Sequence, residues 1–306
     1  MTTLRSPASL PGVAPDLLAA IAAWDQAAWN LAALALVAAG DRPPDITAAA
    51  QQLLSACGIT ASPGQPVPGG DTATAQHIAS QAAAPLHQAA ALASGRAVSW
   101  SAQSDQALLA QGRVSAFGAR AFAELLLPAM GDLRSRLSAP GARMLDVGTG
   151  VGALAVAFAQ VFPQLHLLGI DVIDRPLELA RQNIAASDVA ARVRVRKQDV
   201  AGFTDDTGFD LAYLPAPFVP RSALQAGLPR VAAALRPGGW VFVARGKFDG
   251  TPAENALTRL KTLVYGGTPV DEAEASDLLR SAGLTSVRPV PTPDGAPGIT
   301  IGQKPA

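Results

Sequence analysis

Cys57 is the only cysteine in the 306-residue chain. A single thiol cannot close an intramolecular disulfide, and the CxxC spacings of zinc and redox sites are excluded with it. Cys57 itself is expected to be a small buried residue. Charge is scarce as well: charged residues make up 16% of the chain, and 24 Lys and Arg balance 24 Asp and Glu. No net field therefore draws the protein to nucleic acid or to an anionic membrane. Met1–Pro7 carries one positive charge and no apolar core ahead of a small-residue cleavage site, so no secretory signal is read and the cytoplasm is the expected compartment. The most apolar stretch, Leu17 to Ala39, is interrupted by Asp25, Gln26 and Asn30, which suits a buried soluble helix better than a membrane span.

What the chain has instead is alanine and length. Apolar residues reach 49%, enough for a real core, and the length suits a domain of roughly 190 residues with a smaller companion. Helical periodicity runs from Asp16 to Ala39, from Ile46 to Cys57, and from Asp71 or Thr72 to Ser94. Ser62 to Gly70 reads as a loop, and Pro85 is expected to kink or divide the third run. Further helices are expected at Ser101 to Gln111 and Val114 to Met130. Residues 1–112 thus read as a helical domain, a lid or a dimerisation element, with Trp24 and Trp29 on one run.

After Pro140-Gly141 short apolar runs alternate with helical patterns, the sign of repeated βαβ units and a parallel sheet. Strands are predicted at Arg143–Val147, Leu165–Asp171, Val193–Gln198, Leu211–Pro215, Trp240–Arg245, Ser286–Val290 and Gly298–Gly302. The first runs directly into Gly148-Thr-Gly150-Val-Gly152 and then into a helix. Glycines there let the backbone turn tightly and approach a ligand, and a helix N-terminus supplies unpaired N–H groups. The second predicted strand ends in Asp171, where a carboxylate can accept ribose hydroxyls, and the third runs out into Gln198-Asp199-Val200.

Leu145-Asp-Val-Gly-Thr-Gly-Val-Gly152, Gly169-Ile-Asp171, Gln198-Asp-Val200, Phe209-Asp-Leu-Ala-Tyr-Leu-Pro215 and Leu235-Arg-Pro-Gly-Gly-Trp240 resemble, in order and spacing, the successive motifs of class I S-adenosylmethionine (SAM)-dependent methyltransferases. The resemblance implies an α/β fold over residues 113–306: a seven-stranded, mostly parallel Rossmann-like sheet preceded by an all-helical N-terminal domain. It implies SAM as cofactor, S-adenosylhomocysteine as product, and Asp146, Gly148, Thr149, Gly150 and Gly152 around the methionine moiety. Asp171, followed by Val172, would hold the ribose, Asp199 with Val200 would edge the adenine, and Leu214 belongs to the same cofactor set. Arg113 would meet the methionine carboxylate from a helix folded over the site. A dehydrogenase loop of the Gly-x-Gly-x-x-Gly type is disfavoured, because Ala153 stands at its third glycine.

The acceptor side departs from part of that family. Amino-group methyltransferases carry Asn-Pro-Pro-aromatic at the end of the fourth strand, and here the segment is Pro215-Ala-Pro-Phe218. Without the Asn, the grip on an amide or exocyclic amine is missing. Pro215, Phe218, Phe117 and Lys247 are the expected pocket residues, with Tyr213, His77 and His87 as catalytic candidates. The two histidines are ten residues apart, about 280° around a helix, so they do not form a metal pair, and no metal is expected. The expected acceptor is a small, apolar molecule of secondary metabolism, with no nucleic-acid or membrane partner and a homodimer built through the helical domain. The alternative is a non-methyl reaction, such as a cyclisation or elimination, on the same fold.

Overall fold

The computed structural model describes residues 15–40, 43–65, 70–94, 100–293 and 296–306. The N-terminal stretch, part of the Ser62–Gly70 loop and the helix stop at Gly95 lie outside them. Two compact units divide the chain, Met1–Ala89 and Ala90–Ala306, a boundary earlier than the one drawn at 112 from sequence.

In the first unit, α1 (Pro15–Ala39) and α2 (Pro44–Ala56) pack through Ala33, Val37, Ala50 and Leu54. Residues 21–29 of α1 are exposed throughout. Cys57, expected inside, is exposed at the end of α2. The third helix, α3 (Thr72–Ala93), runs undivided through Pro85.

In the second unit, the helices read at 101–111 and 114–130 are one helix, α4 (Asp105–Ala121), followed by a π turn at Phe122–Leu126 and a 3₁₀ turn at Leu127–Ala129. Ser104 caps α4 by accepting from Ala107 N. Gly112 does not interrupt α4, because glycine is there for packing: a Cβ at this position would lie 2.2 Å from Val151 Cγ2. A short α5 (Leu133–Leu137) leads into the sheet.

The remaining elements alternate as β1 (Arg143–Val147), α6 (Ala153–Val161), β2 (His166–Asp171), α7 (Asp174–Ala185), β3 (Val193–Lys197), β4 (Phe209–Pro215), α8 (Arg221–Ala234) and β5 (Leu235–Arg245). They close with α9 (Pro252–Val264), α10 (Glu272–Ser281), β6 (Thr285–Val290) and β7 (Gly298–Gln303). The sheet order is β3-β2-β1-β4-β5-β7-β6, parallel through β5 and antiparallel where β7 meets β5 and β6. The strand order reverses between β1 and β4, and in open α/β sheets ligands bind at such a switch point, beyond the strands' C-terminal ends.

Both faces are covered, which explains the near-continuous apolar strands. Met144, Phe122, Phe158 and Phe242 form one layer with α4 and α6, and Leu145, Val147, Leu224 and Leu279 form the other with α8 and α10. Arg236-Pro-Gly-Gly239, read as the turn before the fifth strand, lies within β5, and the register with β4 shifts between Phe209 and Leu211. At the opposite rim from the switch point, buried Asp210 accepts from Arg143 N (3.0 Å) and Arg236 (2.7 Å) and faces Arg136 at 3.7 Å. Asp210→Ala strips the Arg143 N–H of its acceptor and is expected to lower stability by about 2 kcal/mol in urea denaturation; an unchanged midpoint would contradict that role.

Candidate functional site

Left-handed backbone shapes the turn after β1: Gly148, Gly150 and Gly152 have φ of 67°, 54° and 73°. A Cβ is crowded in that region, so glycine is what the turn requires. The turn is tied to the neighbouring strand. Gly148 N and Thr149 N both donate to Ile170 O, at 2.8 and 3.0 Å, and Gly150 N donates to Asp171 Oδ2 at 2.9 Å. The other carboxylate oxygen of Asp171 accepts from Val172 N (2.7 Å) and Ile173 N (3.0 Å). Thr149 Oγ1 donates to buried Asp146 Oδ2 at 2.7 Å, and Gly169 leaves room for it, since a Cβ there would sit 2.5 Å from that hydroxyl.

Above this loop a cleft, partly open to solvent, spans the C-terminal ends of β1, β2, β3 and β4. One wall is a stripe of α4, Leu108, Gln111, Gly112 and Ser115, at the i, i+3, i+4, i+7 spacing of a single helix face. The other wall is the Pro215–Phe218 turn. That turn is clasped from behind: Thr268 N donates to Ala216 O and Thr268 Oγ1 to Val219 O, both at 2.9 Å. A Cβ on the adjacent Gly267 would fall 1.9 Å from Pro217 O, so the two backbones are in direct contact. Trp100 packs on Phe218 with centroids 5.5 Å apart, and Phe218 stacks on Tyr265 at 4.9 Å.

Residues 144–239 match the family described as Methyltransferase domain. A release factor glutamine methyltransferase of Cereibacter sphaeroides is 30% identical over 189 residues, covering 58% of this chain and 64% of that protein. The chain therefore spans less than two thirds of that relative's length. Among solved structures, the mitomycin 7-O-methyltransferase MmcR shares the fold at a TM-score of 0.60 and 20% identity, over 94% of this chain and 98% of that one. Human N-acetylserotonin methyltransferase, solved in complex with SAM, shares it at 0.55 and 15% identity, over 97% and 100%.

Most of the sequence candidates come together at the cleft: Asp146, Gly148, Thr149, Gly150, Asp171, Val172, Asp199, Val200, Tyr213, Pro215 and Phe218 line it. Asp199 also caps the short turn after β3, accepting from Ala201 N at 2.8 Å. The others lie elsewhere, each for a local reason. Gly152 packs on α7, where its Cβ would meet Ala180 at 3.2 Å. Leu214 alternates with Tyr213 and points into the opposite core layer. Arg113 borders a separate hollow between α4 and α6, and Phe117 is exposed, each off the stripe of α4 that faces the cleft. Lys247 is spent on Thr292 O and Pro293 O, at 3.1 and 2.9 Å. His77 and His87 sit on α3, and burial lowers the His77 pKa. The α4 stripe was missed, although its spacing is visible once Gly112 is read as part of a helix.

Burial pushes the Asp146 carboxyl up to about 7, the Thr149 hydroxyl pulling it back and the Asp171 charge adding to the rise. Asp171 is also raised by burial, against the lowering of its bonds from Ile173, Gly150 and Val172 N–H. A carboxyl raised in the folded state binds more protons there than in the unfolded chain, so stability falls as pH rises between the two pKa values. Relative to Asp146→Asn, the wild-type protein should lose stability between pH values near the ordinary 3.8 and about 7, by up to roughly 4 kcal/mol, and hold level above. Urea titrations of both proteins across that window test it; a pH-independent difference would refute the raised pKa.

Proposed function

We propose that the chain is a SAM-dependent methyltransferase whose acceptor is a small, largely apolar molecule. The observation that carries this is the cleft itself, in which the glycine turn, Asp146, Asp171 and Asp199 line up across three adjacent strand ends. The residues suit the group. A Cβ on Gly150 would meet Gly148 O at 4.0 Å and no nearer atom, so glycine there leaves room above the turn free. Asp171 would accept the ribose hydroxyls with the lone pairs its backbone bonds leave over, Asp199 and Val200 would flank the adenine, and Asp146 would face the amino-acid end.

Bound there, SAM supplies a methyl carbon already activated by the sulfonium charge. The protein's work is to align the nucleophile in line with that carbon and to exclude water. The clasped Pro215–Phe218 turn and Trp100 supply a rigid apolar wall for it. Pro215 offers no side-chain amide to bind an amine, which supports an acceptor unlike the glutamine for which the bacterial relative is named. The names of the mitomycin and N-acetylserotonin enzymes, both small-molecule methyltransferases, point the same way.

Calorimetric titration with S-adenosylhomocysteine is expected to give micromolar or tighter binding, weakened at least about tenfold in Asp171→Ala by loss of the ribose acceptor. A folded wild-type protein that fails to bind it would sink the reading, and turnover with candidate acceptors would then separate methyl transfer from other chemistry.

The exposed part of α1 supports a second copy as partner. Trp24 and Trp29 are 65% and 64% exposed, and Ala19–Ala39 is also long and apolar enough to cross a membrane by length and composition. Asp25, Gln26 and Asn30 on that run favour protein over lipid. Light scattering should report a dimer that Trp24→Lys with Trp29→Lys converts to monomer; a wild-type monomer that co-sediments with vesicles would replace this assignment.

A further inference from the structure

The Asp171 end of the cleft has two lips, drawn from distant parts of the chain. One is the start of α4, where Leu108 lines the cleft one turn after Asp105. The other is the start of α7, where Ile173 and Pro176 line it just before and just after Arg175. An ionic bridge joins the lips across 70 residues of sequence. Arg175 Nε donates to Asp105 Oδ1 at 2.8 Å, its Nη2 donates to Asp105 Oδ2, and its Nη1 donates to Glu178 Oε2 at 2.7 Å. One carboxylate thus grips the guanidinium as a fork and a second steadies it. Exposed ion pairs contribute little as a rule, and the exceptions are bidentate Arg–carboxylate pairs and networks of several charges. This bridge is both. Beneath it Leu108, Val151 and Leu179 form a buried cluster, with Trp100 packed against them. On the α7 side, Ile173 N is one of the donors that fix the Asp171 carboxylate.

We propose that Asp105 and Arg175 are positioning residues for the nucleoside, their bridge holding the α4 wall down against a ligand seated at Asp171. This rests on the SAM-dependent reading above. Neither side chain lines the cleft, so both act through their neighbours: Asp105 through Leu108 on the wall, Arg175 through Ile173 and Pro176 on the rim. A wall already fastened when the ligand arrives does not have to be ordered on binding, and that saving in entropy is where the bridge contributes affinity. Its effect falls on the part of the ligand that lies between the lips, which is the nucleoside, whatever the remainder of the ligand carries.

The test measures, by calorimetry, the affinities of S-adenosylhomocysteine and of 5′-methylthioadenosine, which keeps the nucleoside and sulfur without the amino-acid end. The proteins compared are wild type, Asp105→Asn, Arg175→Gln and the double variant. Each single change should weaken both ligands by the same factor, about three- to fivefold. The double variant should lose no more than either single one, because either change removes the same bridge. Raising NaCl to about 0.5 M should weaken the uncharged methylthioadenosine by a similar factor in wild type and leave the double variant unaffected, since an exposed bridge is screened. Variants that melt earlier yet bind both ligands as wild type does would overturn the proposal, leaving the bridge a contribution to folding alone. Losses that add in the double variant would also overturn it, because the two residues would then act separately. A loss confined to S-adenosylhomocysteine would overturn the placement at the nucleoside. A wild-type protein that binds neither ligand would overturn the donor site, and the proposal with it.

Discussion

The tie between the turn after β1 and the end of β2 is the constraint on which the site depends. Three consecutive backbone N–H groups, from Gly148, Thr149 and Gly150, end on Ile170 O and the Asp171 carboxylate. Those bonds demand left-handed φ values at alternate residues, and the φ values in turn demand glycine. With the turn fixed, the N-terminus of α6 opens beneath the cleft, Thr149 reaches back to Asp146, and both acids stand at the rim where the strand order reverses. Asp171 serves two ends: its carboxylate braces the turn and still faces the cleft.

A second dependence runs through α4. Gly112 lets that helix approach Val151 in the same turn closely enough that no larger residue fits without displacement. The contact is what makes Leu108, Gln111, Gly112 and Ser115 a wall of the cleft. It also sets which face of α4 is remote from it, and Phe117 falls on that side. The opposite wall is equally constrained, since Gly267 and Thr268 hold the Pro215–Phe218 turn by backbone contact and hydrogen bonds.

These constraints explain what could be read in advance. The sheet was legible because its central strands are buried on both faces, so Met144-Leu-Asp-Val147, apolar but for Asp146, and Leu167 to Ile170 lack the polar alternation of a half-exposed element. The glycine turn and Asp171 were legible because their roles are fixed by local backbone geometry. What escaped depends on contacts between distant segments. The helices expected at Ser101–Gln111 and Val114–Met130 are one across Gly112, whose packing partner lies at Val151. Arg236 to Gly239 looked like a turn because the bulge against Phe209 and Leu211 is a matter of strand register. Cys57 was expected inside on residue type alone, and it falls at the exposed end of α2. Lys247 looked available until its partners, the carbonyls of Thr292 and Pro293, came from the far end of the chain.

Asp146 shows how such a site trades stability for binding. With Asp171 nearby and one hydroxyl as donor, its carboxyl is held near neutrality, so ionising it above that range works against the fold. A bound cation reverses the sign, because the same burial that penalises the lone carboxylate strengthens its attraction to a partner charge. A ligand that brought a positive group to the end of β1 would offset the cost of ionising this carboxyl.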